Sequence, residues 1–137
     1  MDDYLVIDTY AIISFLRKEN NHLAVKRIFQ QARESGTALL LSDINWGEVY
    51  YITLRNFGEA ALQRTLGWMD AMGFQIVPPT RERIQAAARI KARFPISYAD
   101  AFAIAAAQEF GCPVVTGDPE FRKVEAAGMV KLVWVGA

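Results

Sequence analysis

The sequence predicts an α/β fold: a three-layer α/β/α sandwich on a central, mainly parallel sheet of five strands. Short apolar runs such as YLVID (4–8), TALLLS (37–42) and PVVT (113–116) are continuous rather than alternating, as in strands buried on both faces of a parallel sheet. Stretches with apolar residues at helical spacing lie between them, so strands and helices take turns along the chain. The 137 residues contain no repeat, no low-complexity stretch and no Pro/Gly-rich linker, which fits one domain, residues 1–137, around a single core.

Taken in order, strand 4–8 runs into Asp8, and residues 10–17 read as a helix. From His22 to Ser35, Val25, Ile28, Phe29 and Ala32 recur at helical spacing, and Gly36 supplies the stop. Strand 37–42 follows. Residues 44–57 and 59–72 are expected as two helices, punctuated by Gly58 and Gly73. FQIV (74–77) is a short strand ended by Pro78 and Pro79. Helices over 81–93 and 98–110, the second stopped by Gly111, precede strand 113–116, a short helix over 119–126 and the last strand, KLVWV (131–135).

Apolar residues make up 53% and charged residues 22%, a globular composition. Lys+Arg 15 against Asp+Glu 15 gives a net charge of zero, so any site for a polyanion must be a local patch. The single cysteine, Cys112, excludes an internal disulfide framework and a cysteine-rich zinc site, and lone His22 excludes a histidine cluster. No apolar run reaches membrane-span length, and residues 1–16 lack a basic start and a small-residue cleavage site. The expected location is the cytoplasm, with no membrane partner.

In parallel α/β sheets, ligands bind beyond the carboxyl ends of the strands. Asp8 and Asp118 stand at that place. Glu48 lies about one turn into the helix after TALLLS, and Asp100 in the first turn of the helix opened by ISYADA. Each acid alone has a plainer reading. Asp8 can cap a helix, Asp118 before Pro119 suits a turn, Glu48 can be a solvated helix residue, and Ser97-Tyr98-Ala99-Asp100 has capping-box spacing. Their joint placement at one edge singles them out. Gathered carboxylates repel and resist burial, so such a cluster points to a cation between them. Carboxylates with neither His nor Cys suit a hard ion, Mg²⁺ or Mn²⁺, and ions so held serve phosphoryl chemistry.

At these residues the sequence resembles a PIN domain, and specifically the small toxin nucleases of bacterial VapBC toxin–antitoxin pairs. The matching stretches are VIDTYA with Asp8, INWGEVYY with Glu48, ISYADAFAIAAA with Asp100 and VVTGDPEF with Asp118, and the resemblance runs from Tyr4 to Val135. It implies that Asp8, Glu48, Asp100 and Asp118 form a catalytic site binding Mg²⁺ or Mn²⁺, with the hydroxyl of Thr116 in support. Thr9 is expected to support the site beside Asp8 and to bind substrate. The resemblance also implies endonucleolytic cleavage of single-stranded RNA, a cognate antitoxin partner and a homodimer. Tyr10 departs from the pattern, standing where the family usually has Ser or Asn.

The densest basic run, TRERIQAAARIKARF, sets Arg81, Arg83, Arg89, Lys91 and Arg93 against Glu82 alone. It is either a solvated face or a grip on phosphates, with Arg89 and Arg93 the expected RNA contacts. Trp46, Tyr50, Tyr51 and Trp68 are candidates for base stacking, for a partner interface or for the core. Leu62, Leu66, Met69 and Met72 form an apolar stripe that is core or a groove for an amphipathic antitoxin helix. Among competing readings, an aspartyl-phosphate phosphatase wants a second acid at position 10, where Tyr10 stands. A receiver-like domain wants adjacent acids ending the first strand, whereas Asp2 and Asp3 precede it. A non-catalytic, degenerate PIN-like interaction module is the alternative, and the presence of all four acids speaks against it.

Overall fold

The computed structural model describes residues 3–136, and Asp2 lies outside the described residues. Five strands, β1 (Tyr4–Ile7), β2 (Ala38–Ser42), β3 (Gln75–Val77), β4 (Val114–Thr116) and β5 (Leu132–Trp134), form one sheet. The strand order is β3-β2-β1-β4-β5, and every neighbouring pair is parallel. The chain therefore builds outward from β1 on one side, then returns to build β4 and β5 on the other. That reversal opens a crevice at the carboxyl ends of β1 and β4.

The helices are α1 (Thr9–Leu16), α2 (His22–Ser35), α3 (Asp43–Met72), α4 (Arg81–Arg93), α5 (Tyr98–Phe110) and α6 (Phe121–Ala126). Alternation along the strands sorts the core into two layers. Val6, Leu40 and Val114 pack with Ala87, Ile104, Phe121 and Val124 from α4, α5 and α6. Leu5, Ile7, Leu41 and Val115 pack on the other face with Ile12, Val25, Phe29 and Val49 from α1, α2 and α3. Each such aliphatic side chain stabilises the fold by roughly 1.5–3 kcal/mol when fully buried. Helix α5 is buried nearly all round, and its small side chains (Ala99, Ala101, Ala103, Ala105, Ala106, Ala107) let its backbone lie close to the sheet. Among the described residues, no helix is long and apolar enough to cross a membrane.

The helical stretch α3 is broken at Gly58, whose φ of 86° and ψ of −178° lie in a region open essentially to glycine alone. The two helices expected over 44–57 and 59–72 are thus real segments that meet at this residue. In the second segment Leu62 and Met69 are buried, while Leu66 and Met72 pack against the core, so that stripe is core and not a groove. Trp68 is likewise held in an aromatic cluster, 5.2 Å from Phe15 and 5.9 Å from Phe74 between ring centroids. Trp46 stacks on Tyr50 at 5.6 Å, and Tyr51 is exposed beneath Arg55. Asp8 does not end β1; it caps α1. At Gly58 any side chain meets a strained backbone, so Gly58→Ala is expected to cost about 1–3 kcal/mol, measured by urea unfolding at pH 7.

Candidate active site

Register decides which side chains meet at the crevice. Val6 pairs with Val114 and Ile7 with Val115, so Asp8 comes abreast of Thr116, and the Asp8 N–H donates to the Val115 carbonyl at 3.1 Å. Thr116 Oγ1 donates to Asp8 Oδ2 at 2.8 Å and accepts the Asp118 N–H at 3.1 Å. One buried hydroxyl thereby ties the two strand-end acids together. Asp8 Oδ2 also accepts the Tyr10 N–H at 3.3 Å, the capping bond of α1. Asp118 Oδ1 accepts the Glu120 N–H at 3.0 Å.

The other two acids come from helix starts. Ser42 ends β2 and caps α3 by accepting the Ile44 N–H at 3.2 Å, which sets Asn45 and Glu48 on one helix face, three residues apart. Thr9 Oγ1 donates to Glu48 Oε1 at 2.7 Å, and Asn45 Nδ2 donates to Thr9 Oγ1 at 3.0 Å. On α5, Ser97 Oγ accepts the Asp100 N–H at 3.1 Å. That caps the helix through the Asp100 backbone and leaves its carboxylate to face the cluster. Asp100, Asp118 and Glu120 each offer a carboxylate oxygen, all within 4.8 Å of one another.

The electrostatics are those of an uncompensated site. Asp8 is 1% exposed, and its Oδ1 has no hydrogen-bond partner. Burial pushes its carboxyl up to about 7; the Thr116 and Tyr10 bonds oppose the rise, and Glu48 and Asp118 add to it. Asp100, 6% exposed, is lifted to about 8, first by burial and then by Asp8, Asp118 and Glu48, with the Ser97 bond opposing. These mutual effects show that the four predicted acids share one field. Among the described residues the ion pairs are Arg83–Glu109 and Arg122–Glu125, and neither neutralises the four. Oxygen-only donors, an orphaned buried carboxylate oxygen and the lack of a paired base fit a hard divalent cation.

Tyr10 has a packing role at the rim. A Cβ at Gly117 would collide with the Tyr10 ring and come within 2.8 Å of the Gly136 backbone. Only glycine lets the segment between Thr116 and Asp118 pass there. The basic run of α4 is partly engaged in contacts within the protein. Arg83 pairs with Glu109 at 2.9 Å, Lys91 Nζ donates to the Ile96 carbonyl, and Arg93 lies over Phe94 and against Met129. Arg81 and Arg89 are exposed. Sequence reasoning missed Asn45 and Glu120. A polar residue three before Glu48 was the signal for the first; the second hid in a Pro-Glu pair that reads as a turn.

Residues 5–127 match the PIN domain family. No curated protein matches the sequence significantly. Among solved structures, the chain resembles VapBC2 of Rickettsia felis, bound to a DNA fragment from its promoter, with a TM-score of 0.75 and 12% identity over 94% of this chain and 96% of that one. It also resembles Mycobacterium tuberculosis VapC20, a sarcin–ricin loop cleaving toxin, with a TM-score of 0.73 and 19% identity over 93% and 97%. FitAcB of Neisseria gonorrhoeae gives a TM-score of 0.66 and 17% identity over 93% and 95%. Identities this low speak for the fold.

The raised carboxyls give the metal-free protein a definite pH dependence. Asp8 and Asp100 bind protons more tightly folded than unfolded, where they titrate near 3.8. Their contribution is therefore intact below about pH 4 and is lost as the pH rises through 7 and 8, by up to ~1.4 kcal/mol per group and pH unit. The expected outcome is a higher melting temperature at pH 5 than at pH 8 without metal. Asp8→Asn should shrink that gap, leave stability at pH 8 equal or higher, and abolish most stabilisation by added Mg²⁺ or Mn²⁺. A loss of metal-free stability at pH 8 with the metal response intact would reassign Asp8 to helix capping.

Proposed function

The chain belongs to the PIN domain family, and on that premise we propose that it is a divalent-metal-dependent endoribonuclease, the toxin of a type II toxin–antitoxin pair. The observation that carries the reading is that Asp8, Glu48, Asp100 and Asp118 act on one another electrostatically, beside a buried oxygen, Asp8 Oδ1, that has no hydrogen-bond partner. These four are the proposed ligands of Mg²⁺ or Mn²⁺. When bound, such an ion acidifies an attacking water and neutralises charge on the phosphate.

The chain's own residues do the rest. Thr116 holds Asp8 and Asp118 in one geometry. Asp8 and Asp100 keep protons near neutrality in the bare cluster and release them as the site fills, so ion uptake rises with pH. Lone His22 is spent on the Glu19 carbonyl at 2.7 Å, so no histidine pair serves attack by a ribose 2′-hydroxyl. Water is the nucleophile in this reading.

An antitoxin partner is proposed on the likeness to chains solved as VapBC and FitAcB. A groove of about 700 Å³ between α1 and the two segments of α3 combines apolar Ile13, Leu16, Phe57 and Trp68 with basic Arg17 and Arg64, a mixed lining that suits an amphipathic helix bearing acids. A homodimer and a cytoplasmic location belong to the same proposal. So do substrate contacts by Thr9, Arg89 and Arg93.

Cleavage mapping on total RNA tests the reading. Activity should vanish in excess EDTA and return with Mg²⁺ or Mn²⁺. It should also persist on an oligonucleotide carrying a 2′-deoxyribose at the scissile position, because water rather than the 2′-hydroxyl attacks. Activity undiminished by EDTA would sink the mechanism. For the RNA grip, Arg89→Ala with Arg93→Ala should weaken binding and flatten the plot of log affinity against log salt by about 1.4, near 0.7 per lost phosphate contact. An unchanged slope assigns that face to solvent.

A further inference from the structure

We propose that Asn45 is a positioning residue for Glu48, acting through the Thr9 hydroxyl to present one Glu48 oxygen to the cation; this rests on the metal-dependent reading above. Asn45 is fully buried. Its Nδ2 donates to Thr9 Oγ1 at 3.0 Å across 36 positions of sequence, and lies 3.4 Å from Glu48 Oε1. A threonine hydroxyl has one proton to give. Two acceptors compete for it: the Asn45 backbone carbonyl at 3.4 Å and Glu48 Oε1 at 2.7 Å. The shorter bond, to a carboxylate, takes the proton.

The direction of that bond depends on Asn45. Its N–H fills the acceptor side of Thr9 Oγ1, so the hydroxyl's proton is left to point at Glu48. With the amide reversed, Asn45 Oδ1 would draw the hydroxyl's proton to itself and face Glu48 lone pair to lone pair. The Glu48 carboxylate thus fixes the amide orientation, and the amide fixes the hydroxyl. Both bonds end on Oε1, which leaves Oε2 for the ion. Asn45 Oδ1 is meanwhile buried without a partner, a destabilising arrangement that an apolar residue would avoid, as buried Val49 does four positions on. A side chain serving only packing has no reason to carry that penalty.

The test is Mn²⁺ binding to the full chain, by calorimetry without RNA, for wild type, Asn45→Ala, Thr9→Val and the double variant. Each single variant should weaken Mn²⁺ roughly ten- to a hundredfold. The double variant should lose no more than the worse single one, because both break one chain of bonds. For Asn45→Ala, cleavage at saturating RNA should fall in step, with KM for RNA unchanged. A merely structural Asn45 would move the melting temperature and leave Mn²⁺ affinity alone. If Asn45→Ala does not fold, Thr9→Val, which keeps volume and removes only the hydroxyl, carries the test. Unchanged Mn²⁺ affinity in a folded variant, or additive losses in the double variant, overturns the role of Asn45. A wild type that takes up no Mn²⁺, or takes it up equally well after Asp8→Asn, overturns the metal reading itself and this inference with it.

Discussion

The Asp8 carboxylate, buried at the end of the central strand with one oxygen bonded and the other orphaned, is the constraint around which the molecule is arranged. It can be buried only because β4 brings Thr116 alongside, and β4 does so only in the observed register with β1. Gly117 must then be a glycine, since the turn from Thr116 to Asp118 squeezes between Tyr10 and Gly136. The alanines of α5 follow from the same demand: a bulkier helix would stand farther from the sheet and carry Asp100 out of the cluster. Sheet order, register, one glycine and one helix's composition all converge on four carboxylates at one edge.

Much of this was legible in the sequence because its signals are local. Continuous apolar runs announce doubly covered strands, and Gly58, Gly73 and Gly111 mark helix breaks that the backbone needs. The four candidate acids were chosen by position relative to those elements, a choice that tolerates errors of a residue or two: β1 ends at Ile7 rather than Asp8, and α6 starts at Phe121 rather than 119. Asp8 and Asp100 also keep the plainer roles weighed for them, since Asp8 caps α1 and Asp100 donates to Ser97. Capping and clustering proved compatible, as a cap uses one carboxylate oxygen or a backbone N–H and leaves an oxygen free.

What could not be read depends on tertiary contact. Whether Trp68 stacks on a ligand or on Phe15 is decided by how α3 folds back at Gly58, and no local pattern contains that angle. The bond from Thr9 to Glu48 joins residues 39 positions apart, and Asn45 gains meaning only as the third member of that chain. Glu120 joins Asp100 and Asp118 through the turn after β4, where a sequence shows only a proline and an acid. Three of the five cations in the α4 run find partners inside the protein, a fate that charge spacing does not reveal.

Stability and ion occupancy are two faces of one charge balance. Acids drawn from the junction of β1 and α1, from α3, from α5 and from the turn after β4 touch most of the fold, so repulsion among them strains the chain as a whole rather than one loop. A ligand that binds only the folded state adds RT ln(1 + [L]/Kd), about 2.7 kcal/mol at a hundredfold excess over Kd. That is comparable to what two raised carboxyls withdraw over one pH unit. The site therefore cannot be stabilised by neutralising its acids without losing the chemistry proposed for it. A lysine or arginine placed among them would relieve the repulsion and occupy the space of the proposed cation. The orphaned Asp8 oxygen is what such an unresolved balance looks like in a folded chain: a buried polar atom with no hydrogen-bond partner among the described residues.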